Sequence, residues 1–288
     1  MKKILSMLII CIFTIGFIGC SQNKESKKET NETTKKAAEV SSENQDSKKE
    51  EKDKSKEEVK EKDEDVTVVN NGNNNDKENT AESKIVVIDP GHGINGNKEM
   101  EPISPDSNEL KIKDPGGAQG VSTGVPEYKV NLQIAEKLKA KLEPQNIKVV
   151  MTKTSDSESP GNIERAEVAN NINAALEIRI HCDSAANSSA HGASMLVPGE
   201  TGYAKDISSI SRTYGETILE SLVNSAGMNN RGISVRNDLT GFNWSKVPIV
   251  LAELGFMSNP EEDALLSTND YQEKIAQGLC DGIVKVLK

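Results

Sequence analysis

Short apolar runs typical of strands alternate with segments of helical periodicity along residues 84–288. Residues 85–88 are four β-branched residues in a row, which is typical of a buried strand, whereas 130–142 carries an apolar residue at every fourth position, which predicts a helix. Further strands are predicted at 147–153, 176–182, 192–198 and 247–255, and further helices at 162–174, 204–226, 259–267 and 271–288. This alternation predicts an α/β fold with a largely parallel central sheet flanked by helices.

Residues 1–20 have the pattern of an export signal. Lys2 and Lys3 precede an almost wholly apolar stretch, 4–18, which suits a signal-peptide core and is short for a membrane span. The stretch ends in FIGC, which resembles a bacterial lipoprotein signal and marks Cys20 as the lipidated first residue of the mature protein. An uncleaved N-terminal anchor, or ordinary secretion with Cys20 incidental, remains an alternative.

Residues 21–83 lack the apolar side chains that a folded core needs. They contain no Leu, Ile, Met, Phe, Tyr or Trp, and 13 Lys and 18 Asp or Glu make up about half of the segment. We therefore expect a disordered, charged tether. The whole chain carries −10, of which +2 lies in 1–20 and −5 in the tether, leaving −7 for the domain at 84–288. This acidic balance argues against a nucleic-acid partner.

Polar side chains stand at the ends of three predicted strands. His92 and His181 are two of only three histidines in the chain, and each stands at the end of a strand, as does Glu253. Because ligands of open α/β sheets bind at the carboxyl ends of strands, we expect these three residues to converge. The third histidine, His191, precedes a strand and is a further candidate for this site.

Two histidines and one carboxylate form a typical catalytic zinc shell, with a fourth position left for water. The residues alone do not decide whether this carboxylate is Glu127, Asp89, Asp183 or Glu253. Apolar neighbours around Glu253 predict a desolvated carboxyl group with a raised pKa, which suits a general base. The alternative is a structural carboxylate that binds a backbone amide or an arginine such as Arg231 or Arg236. A cysteine hydrolase using Cys182 is disfavoured, because its neighbour His181 points to the opposite face of the strand.

Five segments together resemble a known family. They are VVIDPGHG, GVPEYKVNLQIAEKLKAKLE, ERAEVAN, IRIHCDSA and VPIVLAELGFMSNPEE, and they occur in this order across the domain. This pattern is similar to the zinc-dependent N-acetylmuramoyl-L-alanine amidases of bacterial cell-wall metabolism. The resemblance implies that His92, Glu127 and His181 bind one Zn²⁺ per chain and that Glu253 is catalytic. It also implies a six-stranded mixed sheet of the phosphorylase/hydrolase-like type.

The activity implied is hydrolysis of the amide between the lactyl group of N-acetylmuramic acid and the L-alanine of the peptidoglycan stem peptide. With the signal at 1–20, this places the enzyme in the cell envelope, held at the membrane through Cys20. A non-catalytic peptidoglycan-binding protein of amidase ancestry is the alternative, and a peptidase acting elsewhere in the stem is a third hypothesis.

The chain departs from the family pattern in two places. Residues 94–113 separate DPGHG from a second DPGG, although these segments normally follow each other closely. We predict that this polar insertion is a mobile flap at the edge of the cleft and not part of the core. Near the second histidine, Leu176 replaces a usual acidic residue, Arg179 a small residue and Asp183 an asparagine.

Overall fold

A six-stranded sheet runs through residues 84–288, the part of the chain that the computed structural model describes. The predicted signal peptide, Cys20 and the tether lie outside the described residues. In chain order the strands are β1 (Lys84–Pro90), β2 (Asn97–Pro102), β3 (Leu110–Asp114), β4 (Ile147–Met151), β5 (Leu176–Asp183), β6 (Ala193–Pro198), β7 (Asn230–Arg236) and β8 (Ile249–Phe256). The helices are α1 (Glu127–Leu142), α2 (Asn162–Asn171), α3 (Ser208–Ala226), α4 (Thr240–Trp244), α5 (Pro260–Leu266) and α6 (Asn269–Leu287).

The main sheet is mixed and mostly parallel, which confirms the predicted fold class. Its strand order is β4-β1-β5-β8-β6-β7. Neighbouring strands are parallel throughout except where β6 meets β8, so β6 and β7 run opposite to the other four. The strands β1, β5 and β8 are neighbours at the centre, and their carboxyl ends therefore lie side by side.

The larger core lies between one face of this sheet and the helices α1, α3 and α6. The predicted periodicity of α1 is confirmed, since Val130, Ile134 and Leu138 are fully buried there. Helix α6 approaches α3 closely because Gly278 and Gly282 present no side chain: an added Cβ would lie 2.7 Å and 2.6 Å from Cα atoms of α3.

The opposite face of the sheet is covered by the shorter helices α2 and α4. Two small apolar clusters fill this layer, one around Val87 and Ala169 and the other around Phe242 and Leu251. The rest of the layer is polar, because buried charged side chains stand on β1, β5 and α2 here. This thinner, polar layer leads up to the strand ends that carry the candidate site.

The prediction that the insertion at 94–113 is a mobile flap is wrong, because this segment is part of the folded structure. The segment contains the strands β2 and β3, which pair as an antiparallel hairpin. Glu101 is 2% exposed, and its carboxylate accepts hydrogen bonds from the backbone N–H groups of Asn162 (3.0 Å) and Ile163 (3.1 Å) at the start of α2. The indole Nε1 of Trp244 donates to the Pro102 carbonyl at 3.0 Å. The hairpin is therefore tied to both helices of the polar layer.

Three further findings complete the fold. The edge strand β7 was not predicted, because its sequence NRGISVR is polar and mostly exposed. Cys182 and Cys280 are both buried and are not paired with each other. Within residues 84–288, no helix has the length and apolar character needed to cross a membrane.

Candidate active site

Tight backbone packing at the end of β1 places the two histidines against each other. His92 has φ 61°, a left-handed conformation that is uncommon for a residue with a side chain and is found at constrained sites. The ring of His181 packs directly over Gly91, in space that a Cβ at this position would occupy. The two imidazole rings meet edge to face with centroids 4.8 Å apart. The glycine before His92 is therefore required by the neighbouring strand.

The carboxylate of Glu127 lies between these two rings. Glu127 is the first residue of α1, and its Oε1 is 3.4 Å from His92 Nε2 and 3.2 Å from His181 Nδ1. One ligand atom from each of the three residues fits within a mutual distance of 4.8 Å. Ligand atoms around a tetrahedral zinc, with bonds of about 2.0–2.1 Å, lie about 3.3 Å apart. The two separations from Glu127 fit that geometry.

Two of the three candidate ligands, His92 and Glu127, are held by further hydrogen bonds. His92 Nδ1 is 2.7 Å from Asp114 Oδ1, and the other oxygen of Asp114 accepts from the Gly93 N–H at 3.1 Å. Glu127 accepts from the backbone N–H groups of Ala118 at 2.7 Å and Cys182 at 3.1 Å. Ligands fixed by outer partners in this way are typical of metal sites.

The charges of the site favour a bound cation. Burial alone lowers the pKa of His92, but the hydrogen bonds of Asp114 and Glu127 outweigh burial and raise it to about 9. Burial lowers the pKa of His181 to about 4. For Glu127, burial acts to raise the pKa, but the two histidines hold it well below its usual range. One positive charge is therefore stabilised between two carboxylates. The buried Nε2 of His181 has no hydrogen-bond partner among residues 84–288. These donors fit a zinc ion.

Glu253 stands beside this group on the adjacent strand, directly opposite His181 in the β5–β8 register. Its Oε2 is buried and has no hydrogen-bond partner in the described part of the chain. Burial, and next the charge of Glu127, raise the pKa of Glu253 to about 8. Glu253 is not paired with either of the arginines that the alternative names. Arg231 lies over the ring of Phe256, and Arg236 binds Asp238 at 2.7 Å.

The other candidates do not join the cluster. His191 is exposed on a loop, where its Nδ1 is 3.0 Å from the Ser189 carbonyl. Asp89 is fully buried; burial acts to raise its pKa, but Arg165 and Arg179 hold it below its usual value. Asp183 is bonded through Oδ1 to the next backbone N–H. Cys182 points into the main core, as the strand alternation predicts.

Two residue sets near the site were missed from the sequence. Asp114 belongs to the second DPG segment, and the recurrence of that tripeptide was the available signal. The buried network of Asp89 with Arg165 and Arg179 gave no local signal, because its members lie 76 and 90 positions apart along the chain.

Comparison with known proteins agrees with this arrangement. A sequence model of the family described as N-acetylmuramoyl-L-alanine amidase matches residues 86–285. The probable cell wall amidase LytH of Staphylococcus epidermidis is 25% identical over 209 residues, covering 71% of this chain and 59% of that relative. An N-acetylmuramoyl-L-alanine amidase of Mycobacterium tuberculosis is 26% identical over 210 residues, covering 70% of this chain and 86% of that relative. The crystal structure of the apo N-acetylmuramyl-L-alanine amidase of Mycobacterium abscessus has a TM-score of 0.65 and 25% identity, covering 71% of this chain and 99% of that one.

Proposed function

This chain belongs to the N-acetylmuramoyl-L-alanine amidase family, and we propose that it hydrolyses the amide between the lactyl group of N-acetylmuramic acid and the L-alanine of the stem peptide. The observation that carries the proposal is the convergence of His92, Glu127 and His181 beside a carboxyl group, Glu253, whose Oε2 has no partner among the described residues. The family membership makes peptidoglycan the substrate and the cell envelope the place of action.

We assign His92, Glu127 and His181 as the ligands of one zinc ion. Zinc held there would supply a Lewis acid that polarises the amide carbonyl and acidifies a water molecule. Asp114 holds His92 in place through Nδ1, so that Nε2 faces Glu127. Three protein ligands leave a further position for water and substrate.

Glu253 acts as the proton carrier in this proposal. Its carboxylate accepts the proton of the attacking water and then delivers it to the nitrogen of the departing L-alanine. A raised pKa of about 8 suits both halves of this transfer near neutral pH, because the group is easily protonated and easily deprotonated. The pairing of Glu253 with His181 across neighbouring strands supports this role, since it sets the carboxyl group beside the proposed ligands.

The direct test is product analysis. Purified protein with added zinc is incubated with muropeptides, and the products are identified by mass and by labelling of new amino groups. We expect intact glycan and an intact peptide with a free L-alanine amine. A new amine inside the stem, or released D-alanine, identifies a peptidase. Binding without any product supports the alternative of a non-catalytic peptidoglycan-binding protein.

A second experiment separates the base from the ligands. Glu253→Gln keeps the shape of the side chain but cannot accept the proton, so we expect the amidase rate to fall by on the order of 10² to 10⁴. Its zinc content, measured on the same preparation, should remain at one per chain, whereas His92→Ala and His181→Ala should lose the metal. The exposed Glu200→Gln serves as the matched control and should keep the full rate. Normal activity in Glu253→Gln would refute the mechanism.

We further propose that residues 1–20 direct export and that Cys20 carries a lipid anchor. The pattern FIGC after an apolar stretch supports this assignment, and a cell-envelope substrate requires export.

A further inference from the structure

A cavity of about 280 Å³ opens directly beside the candidate metal ligands. Its wall includes His92, His181 and Glu253 of the site itself. The rest of the wall is rich in cationic side chains that come from the β2–β3 hairpin and from α2, β5 and β7, namely Lys111, Lys113, Arg165, Arg179 and Arg236. The only carboxylates in this wall, within residues 84–288, are Asp114 and Glu253. A cavity of this composition favours an anionic ligand.

Most of these cations already have partners. Lys113 pairs with Glu99 at 3.0 Å and with Glu164 at 3.4 Å. Arg236 makes two bonds of 2.7 Å to Asp238. A ligand in the cavity therefore competes for these two side chains with carboxylates of the protein.

Arg179 is different, because its guanidinium is fixed and yet incompletely used. Its Nε donates to Asp89 at 2.7 Å and its Nη2 donates to Asn162 at 2.9 Å, while its Nη1 has no hydrogen-bond partner among residues 84–288. Gly241 has no side chain, and Nη1 occupies the space that one would fill, since a Cβ there would lie 2.5 Å from that nitrogen. The residue is only 5% exposed, so the remaining N–H groups of its side chain are preorganised at the cavity wall.

The surrounding charges leave this guanidinium with excess positive charge. Asp89 is one carboxylate shared by two guanidinium groups, those of Arg165 and Arg179. The nearby Glu101 is bonded to the first N–H groups of α2. Burial raises the pKa of Glu177 to about 8, so this carboxyl group is largely uncharged at neutral pH. The local imbalance is suited to an incoming carboxylate, which a guanidinium binds strongly through charge-assisted hydrogen bonds.

The position of Arg179 relative to the metal ligands defines which carboxylate fits. Arg179 and His181 are two residues apart on the same face of β5, so their backbones are about 6.6 Å apart. An extended peptide covers about 7 Å in two residues. The muramoyl side of the substrate has no free carboxylate, because its lactyl carboxyl forms the scissile amide. On the peptide side, the nearest is the α-carboxylate of a γ-linked glutamyl residue in the second position of the stem.

We propose that this cavity is a carboxylate subsite in which Arg179 binds the free α-carboxylate of the second stem residue; the inference rests on the proposed amidase function. It makes Arg179 a substrate-binding residue that directs the peptide arm toward the hairpin and α4, with the glycan on the other side of the metal ligands. The protein then distinguishes stems with a free glutamyl α-carboxylate from stems in which that group is amidated.

The test compares two substrates on each protein preparation. Disaccharide peptides whose stem is L-alanine, D-glutamate linked through its γ-carboxyl, and a third residue are prepared with the glutamyl α-carboxylate free or amidated, and kcat/KM is measured for both. We expect the wild-type protein to prefer the acid by about tenfold or more, since one charged hydrogen-bonded contact is lost with the amide. The ratio of the two values does not depend on the fraction of active protein.

Three variants identify the residue responsible. Arg179→Gln should bring the ratio of acid to amide close to one, mainly through KM. Gly241→Ala keeps the bond between Arg179 and Asp89 but crowds Nη1, and it should also reduce the ratio, which covers the case in which Arg179→Gln does not fold. Arg212→Gln, on the exposed face of α3 and paired with Glu216, should leave the preference unchanged.

The outcomes separate the two proposals. Equal kcat/KM for acid and amide in the wild-type protein overturns the subsite while leaving the amidase function intact, and so does a preference that survives in both Arg179→Gln and Gly241→Ala. No hydrolysis of either substrate overturns the proposed function. In that case calorimetric binding of the same γ-linked tripeptide without the disaccharide, with the glutamyl α-carboxylate free or amidated, decides the subsite, and equal affinities refute it.

Discussion

Asp114 is the residue that links the insertion to the chemistry of the site. It ends β3, and its two oxygens contact His92 Nδ1 and the Gly93 N–H. A carboxylate in this position fixes the tautomer and the orientation of a ligating histidine. The site therefore depends on a hairpin that is not part of the main sheet.

Replacement of this carboxylate should weaken the metal site without removing a ligand. For Asp114→Asn we expect zinc affinity to fall by about 10- to 100-fold, because the amide is a weaker partner for the ring N–H. Titration against a competing chelator measures the change. Asp106→Asn, an exposed change in the same hairpin, is the matched control and should keep the wild-type affinity. An unchanged affinity in Asp114→Asn would remove Asp114 from the account of the site.

Glu177 makes stability depend on pH. Its two oxygens are buried without a hydrogen-bond partner among residues 84–288, and burial raises its pKa from 4.5 to about 8. A raised folded-state pKa means that the folded protein holds the proton more tightly, so this stabilisation is complete below pH 4.5 and is lost as the pH rises toward 8. The free energy of unfolding should therefore fall over this range, by at most about 1.4 kcal/mol per pH unit from this group.

Glu177→Gln should flatten this dependence. Urea unfolding of the zinc-loaded protein at pH 5, 6.5 and 8 measures it, and the difference between variant and wild type isolates the contribution of Glu177. We expect the free energies of unfolding of the wild type and of Glu177→Gln, plotted against pH, to approach each other or to cross as the pH rises. Parallel curves would show that Glu177 does not titrate in this range.

At the scale of elements, the β2–β3 hairpin replaces an N-cap for α2. The carboxylate of Glu101 accepts the N–H groups of Asn162 and Ile163, which have no partner within the helix. We expect Glu101→Ala to lower the free energy of unfolding by about 2 kcal/mol, because buried donors lose a charged acceptor. Chemical denaturation measures the change.

Glu99→Ala is the matched control for this prediction. Glu99 lies on the same strand, but it is exposed and pairs with Lys113 at 3.0 Å. A surface pair of this kind contributes about 0.5 kcal/mol or less. Equal effects of the two substitutions would mean that the hairpin does not support α2, and would restore the interpretation of residues 94–113 as a flap without a structural role.

The elements that could be predicted from the sequence are those with a local signal. The buried periodicity of α1 and the β-branched run of β1 are local, and both were found. The strands β2, β3 and β7 are polar, and what holds the hairpin lies far along the chain, as with the bond from Trp244 to Pro102. No local pattern encodes such a contact, so the sequence predicts a mobile flap where the structure contains a hairpin.

In the candidate site, too, the residues with a local sequence signal could be predicted and those placed by tertiary packing could not. The positions of His92, His181 and Glu253 at strand ends predicted their convergence, which the neighbouring strands β1, β5 and β8 explain. The sequence did not select Glu127 except through family resemblance, because its place depends on how α1 packs onto the sheet. The Arg179 network is likewise a product of tertiary packing.

At the scale of the whole molecule, the signal pattern leads to a prediction about location. The domain is acidic, so electrostatic attraction to anionic lipid is not expected to retain it at a membrane. We expect the full-length protein to fractionate with membranes and Cys20→Ala to appear in the soluble fraction. Cys11→Ala, within the apolar stretch, is the control and should behave as the wild type. Membrane retention of Cys20→Ala would favour an uncleaved N-terminal anchor.

Cys182 and Cys280, which are buried and are not bonded to each other, can report how often the folded domain opens. Cys182 is 4% exposed beside the candidate site, so an alkylating reagent reaches it only when the structure opens, whereas Cys280 is 3% exposed in α6 but lines a surface cavity and is reached by smaller movements of α6. Modification at each thiol, followed over time by peptide mass, then reports the frequency of opening in two separate regions. Zinc stabilises only conformations in which its ligands are assembled, so it should slow modification of Cys182 in every case. It should slow modification of Cys280 only when α6 opens together with the central strands.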